Sequence, residues 1–236
     1  MSELQIPVGD GGVDAYLAVP AVAGGPWPAV VVVHDAFGLT DVTREHADHL
    51  AAAGYLAVVP DLYTRGGMAR CVRETFRSLS AGRGRPFDDI EAVRHWALAR
   101  DDTTDRVGVI GFCMGGGFAL ATAATGFAAS APNYGMLPKD RSVLDGACPV
   151  VASYGAQDRG LRGTAAELEA LLAERGIPHD VKEYPDAGHS FMNRINTGPL
   201  LSPVQQFVGF AYHHPSAEDS WRRILAFFAA HLAATA

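Results

Sequence analysis

Cysteine is scarce in this chain and carries no pattern. Cys71, Cys113 and Cys148 are the only three in 236 residues; they form no C-x-x-C pair and no zinc-like cluster, which argues against a disulfide framework or a structural metal site. A chain of this length buries roughly 70–75% of its unfolded surface and needs no covalent staple. Basic runs are also absent. Lys plus Arg is 19 against 26 Asp plus Glu, a net charge of -7, so nothing resembles a phosphate-tracking stripe and no nucleic-acid partner is expected. Long apolar runs are missing too: residues 29–33 and 225–230 are far too short to span a bilayer, and MSELQIPVGDGG lacks the basic start and apolar core of a signal peptide. Neither G-x-G-x-x-G nor G-x-x-x-x-G-K-[ST] occurs. The expectation is a cytoplasmic protein with reduced thiols, no membrane partner, and no metal or organic cofactor.

What is present is apolar, rich in turn residues and periodic. Apolar residues make up 48% of the chain, beside 26 Gly and 14 Pro. Residues 4–8 and 13–19 flank Gly9-Asp10-Gly11-Gly12, a hairpin pattern. Residues 29–34 (AVVVVH) are the near-continuous β-branched run expected of a strand covered on both faces. Further strands are predicted at 55–59, 106–111, 127–131, 149–154 and 179–184. Helical spacing covers 43–53, 68–79, 88–99, 115–124, 164–175 and 217–232. The repeated βα order predicts an α/β fold with a mostly parallel central sheet and helices on both faces, in one domain over residues 1–236.

One pentapeptide carries chemistry. Gly111-Phe112-Cys113-Met114-Gly115 reads G-x-C-x-G between a buried strand and a small-residue helix, the context of a nucleophile elbow. The central thiol would project at a helix N-terminus, where thiolate is favoured. The plainer reading is a small cysteine on a tight βα turn. His189 lies in the loop after the last predicted strand, which parallel geometry brings to the same edge. Asp158 follows strand 149–154 by four residues. Nucleophile, acid, histidine is the α/β-hydrolase order, although Asp158 could instead cap the following helix or pair with Arg159.

Five stretches then resemble the dienelactone hydrolase family of α/β-hydrolases, represented by carboxymethylenebutenolidase: VVVHDAFGL (31–39), GYLAVVPDLY (54–63), VGVIGFCMGGG (107–117), YGAQD (154–158) and YPDAGHSFMNR (184–194). The resemblance implies the α/β-hydrolase fold and hydrolysis of a small-molecule ester or lactone through an acyl-thioester, with Cys113 as nucleophile, Asp158 as acid and His189 as base. It places the oxyanion-binding amides at Met114 and Ala36. The family's His-Glu-x-x-Gly becomes His34-Asp35-Ala36-Phe37-Gly38, so Asp35 takes the thiol-modulating position with a side chain one methylene shorter. Substrate contacts fall to Phe37, Tyr134, Phe191 and Arg194, with Phe207 a further apolar candidate; Arg194 stands one residue beyond the usual H-x-F-x-R spacing. A broader carboxylesterase or thioesterase, or a non-catalytic hydrolase-like binding protein, are the other readings. A monomer or small homo-oligomer is expected.

Overall fold

The computed structural model describes residues 1–9, 11–21, 24–194 and 211–233. Eight strands form one sheet: β1 (Ser2–Val8), β2 (Gly11–Ala18), β3 (Trp27–Val33), β4 (Leu56–Pro60), β5 (Thr103–Phe112), β6 (Ala129–Asn133), β7 (Val150–Gly155) and β8 (His179–Tyr184), in the spatial order β1-β2-β4-β3-β5-β6-β7-β8. The first two make the predicted hairpin, with Val8 facing Gly11. Strand β2 runs antiparallel to β1 and β4, and every other pairing is parallel. Among the described residues six α-helices accompany them: α1 (Asp41–Ala52), α2 (Gly67–Ala81), α3 (Arg85–Leu98), α4 (Met114–Ala121), α5 (Thr164–Glu174) and α6 (His214–His231).

The valine run of β3 explains why both faces are covered. Val30 and Val32 point into a core built with Ala47 and Leu50 of α1 and Ile224 and Phe228 of α6. Val31 and Val33 point the other way, toward Leu79 of α2, Ile90 and Val93 of α3, and Phe118 of α4. All four valines are fully buried, and the alternation is the period of a pleated strand.

Element boundaries moved for local reasons. Helices α3 and α6 start earlier than predicted, each with a proline in its first turn, where the missing N–H costs nothing. Strand β6 lies two residues later than the predicted 127–131. Phe127 is buried before the strand begins, and the ladder to β5 runs on through Pro132 to Asn133. Among the described residues, no helix is long and apolar enough to cross a membrane.

The chain leaves β3 toward β4 on one side and returns to β5 on the other. Such a reversal opens a crevice at the carboxyl ends of the two strands, where α/β sheets bind ligands. Asp35 and Ala36 follow β3 there, and Cys113 follows β5.

Candidate active site

Cys113 stands between β5 and α4 with φ 56° and ψ -115°. This backbone is costly for a side chain with a Cβ, and such strain, on the order of 1–3 kcal/mol, persists only where the surroundings enforce it. The enforcement is visible in its glycines. A Cβ on Gly111 would lie 1.9 Å from the Gly115 carbonyl oxygen, and one on Gly115 would lie 2.1 Å from that of Val33. Three non-glycine residues have positive φ among those described: Cys113, Tyr134 (41°) and Ser190 (58°). They follow β5, β6 and β8 respectively, so backbone strain collects at one edge of the sheet.

His189 is brought to the same edge. Its Nδ1 lies 2.5 Å from Asp158 Oδ2, and its ring is also hydrogen-bonded to Cys113. Asp158 divides its oxygens between the histidine and a cap: Oδ2 faces His189, while Oδ1 accepts the Gly160 N–H at 2.9 Å at the start of the following 3-10 turn. Burial by itself lowers the His189 pKa, but the hydrogen bonds and charges of Asp158 and Cys113 outweigh it and raise the value to about 9. The imidazolium is therefore the favoured form of His189 at neutral pH.

Asp35 is buried at the crevice, with both oxygens occupied. The Phe37 N–H donates to Oδ1 and the Asn193 Nδ2 to Oδ2, each at 2.8 Å. Burial raises its pKa, and these two donors, with His34 and His189, pull it back. Among the described residues no hydrogen bond joins Asp35 to Cys113; one methylene shorter than Glu, its side chain stays within its own loop and the loop after β8.

Asn193 is a residue that sequence reasoning passed over. Its Oδ1 accepts from the Tyr134 hydroxyl at 2.7 Å and lies 3.1 Å from His46 Nε2. His46 is held neutral because burial lowers its pKa to about 4, so Nε2–H is the donor. The same imidazole stacks on Phe112 at 4.1 Å, directly before Cys113. The sequence carries a signal for it: asparagine stands at position 193, where the H-x-F-x-R spacing has arginine. His34 is a second omission. Its Nε2 accepts the Leu62 N–H at 3.1 Å and its Nδ1 donates to the Asp35 carbonyl at 2.6 Å, which locks the loops after β3 and β4 together.

The remaining predicted residues divide. Met114 opens α4, where helix amides have no intrahelical acceptor. In the facing loop the Phe37 amide is spent on Asp35, whereas Ala36 donates no hydrogen bond among the described residues. Phe37 is 53% exposed and free to meet a ligand. Tyr134 and Phe191 are both buried; Tyr134 spends its hydroxyl on Asn193, and its ring packs 5.4 Å from those of His189 and Phe191. Arg194 is turned aside, donating to the Tyr212 hydroxyl at 3.0 Å and lying over that ring at 4.6 Å. It lines a cavity of about 440 Å³ with His46, His49, Met192 and Trp221, and neither Cys113 nor His189 reaches that lining. Phe207 falls outside the described residues. The three cysteines are free thiols, and among the described residues no three His, Cys, Asp or Glu side chains gather as a metal would need.

The dienelactone hydrolase family model matches residues 13–232. The chain belongs to the dienelactone hydrolase family. It is 31% identical to a carboxymethylenebutenolidase of Rhodococcus opacus, over 88% of this chain and 83% of that one. Against the carboxymethylenebutenolidase of Pseudomonas putida it is 28% identical, over 80% and 84%. In fold it matches a dienelactone hydrolase-like promiscuous phosphotriesterase from metagenomic libraries, with a TM-score of 0.83, 23% identity, and 98% and 97% of the two chains covered. The family membership makes this chain a carboxylic ester hydrolase of the dienelactone-hydrolase type.

Proposed function

We propose that this dienelactone hydrolase family member cleaves a small ester or lactone through Cys113, His189 and Asp158, by way of an acyl-thioester. The observation that supports this reading is the double engagement of His189, with Asp158 at 2.5 Å on one side and the Cys113 sulfur on the other. The Cys113 thiolate attacks the carbonyl carbon, forming a C–S bond and placing negative charge on oxygen. The amides of Met114 and Ala36 face that oxyanion; such donors are commonly worth about 3–4 kcal/mol each. Collapse breaks the C–O bond, and the His189 imidazolium gives its proton to the departing alkoxide. Neutral His189 then takes a proton from water as the hydroxide attacks the thioester. Cys113 leaves as thiolate, the carboxylic acid is released, and the ion pair is restored. Asp158 holds the ring orientation and stabilises the cation throughout.

Turnover of an ester and lactone panel by the native protein and by Cys113→Ala tests the reading. It expects activity in the first and a loss of at least about a thousandfold in the second, of the size seen when a nucleophile is removed from a triad. Undiminished turnover in Cys113→Ala contradicts it.

A further inference from the structure

Four large apolar side chains stand exposed among the described residues: Met1, Phe37 (53%), Met68 (48%) and Met136 (44%). Apart from Met1 they are not scattered. Phe37 follows β3, Met68 opens α2 after β4, and Met136 follows β6. Strands β4, β3, β5 and β6 lie side by side and parallel, so these three loops leave the sheet at one edge. Cys113, at the end of β5, stands among them.

Contacts tie each loop to the Cys113 turn. Next to Phe37, a Cβ on Gly38 would touch the Tyr63 ring at 3.0 Å. The Tyr63 hydroxyl donates to the Ala36 carbonyl at 3.1 Å and meets the Met114 sulfur at 3.8 Å. The Tyr63 carbonyl lies 4.0 Å from Cys71 Sγ, one turn along α2 from Met68. On the other flank, a Cβ on Gly117 of α4 would meet the Met136 carbonyl at 3.4 Å, and Gly135 presses its backbone against Gly116. The loops that carry Phe37 and Met68 thus border the turn on one side and the loop that carries Met136 on the other.

Large apolar groups gathered on the surface around a reactive centre mark a surface meant to be covered, and methionine adapts to chains of varied shape. Two arginines at this edge are held by other side chains. Arg65, in the loop after β4, is bound to the buried Asp89 through both guanidinium nitrogens at 2.8 and 3.0 Å. Arg194 is engaged by Tyr212. We infer that Phe37, Met68 and Met136 seat the hydrocarbon part of the acyl group, so that the preferred substrates are uncharged esters with an acyl chain of several carbons. This rests on the hydrolase reading above and names the substrate class of the same site.

The test is a para-nitrophenyl ester series, acetate to butyrate to hexanoate, beside the negatively charged hemisuccinate, with the native protein and with Phe37→Ser, Met68→Ser and Met136→Ser. These positions are exposed, so the substitutions leave the core intact. Half-burial of each methylene gives about a twofold gain in kcat/KM, hence about sixteenfold from acetate to hexanoate. The readout is that slope, whatever the absolute rate. Native protein is expected to show it, each variant to flatten it, and the hemisuccinate to fall below the butyrate. Turnover with a flat native slope, a slope untouched by all three variants, or a preference for the hemisuccinate overturns the inference and leaves the hydrolase reading standing. No turnover of any ester overturns both.

Discussion

Asn193 donates its side-chain amide to Asp35 at 2.8 Å, and through this bond the loop after β8 grips the loop after β3. Because the same side chain accepts from Tyr134 at 2.7 Å, three strand ends are joined at one buried amide beneath the reactive edge. Replacing Asn193 by Ala removes the side-chain partner of a buried Asp35 oxygen, of the Tyr134 hydroxyl and of the His46 Nε2–H, and a buried polar group left unpaired costs about 1–3 kcal/mol. The expected loss of unfolding free energy in urea is about 2–5 kcal/mol, with turnover reduced as His189 loses its support. A loss below about 1 kcal/mol contradicts the clamp.

Gly111 tests the crowding at the Cys113 turn. Gly111→Ala puts a Cβ within 1.9 Å of backbone oxygen, a clash no rotamer relieves. Circular dichroism and ester turnover together should show either failure to fold or a loss of at least about a hundredfold in rate. The matched control is Gly11→Ala, whose nearest neighbour is a side-chain nitrogen 4.0 Å away; both measurements should stay unchanged there.

The environment of His189 gives the fold a pH dependence of defined sign. Its pKa is raised in the folded state from 6.5 to about 9, against the pull of burial, by Asp158 and Cys113. The resulting stabilisation, at most about 3 kcal/mol, is fully present below pH 6.5 and is lost as pH rises through 9. Unfolding of the native protein and of His189→Gln at pH 6 and pH 9.5 should show a stability difference at the lower pH that shrinks at the higher. A difference that grows with pH contradicts the assignment.

The cysteines should separate in reactivity. Burial pushes the Cys148 thiol up to about 12, so it holds almost no thiolate at pH 7, whereas Cys113 sits against an imidazolium. Brief treatment with iodoacetamide followed by peptide mapping should label Cys113 at least about a hundredfold faster than Cys148, whose thiolate burial suppresses. Comparable labelling of the two contradicts the ion pair.

Much of this arrangement is legible in the chain because local rules and topology agree there. The valine run of β3, the glycine-flanked Cys113 and the order Cys113, Asp158, His189 each report a backbone requirement, and a parallel sheet converts that order into a shared edge. Asn193, His46 and Tyr134 are different. Their roles depend on hydrogen bonds between residues as far apart as 35 and 193, which no spacing encodes. Tyr134 reads as a pocket wall from its place after a strand, yet its ring is buried and its hydroxyl is bound to Asn193. Arg194 reads as an anion contact from its distance to His189, but one residue of offset delivers it to Tyr212 and puts Asn193 in that place.

The central claim is a covalent intermediate on Cys113, and intact mass analysis during steady-state ester turnover measures it directly. The account predicts a species heavier than the protein by one acyl group. Its peptide map should place that group on Cys113, and it should be absent from Cys113→Ala and accumulate in His189→Gln, where the thioester is hydrolysed more slowly. Turnover with no acyl species in either protein, or an acyl group mapped to another residue, contradicts it.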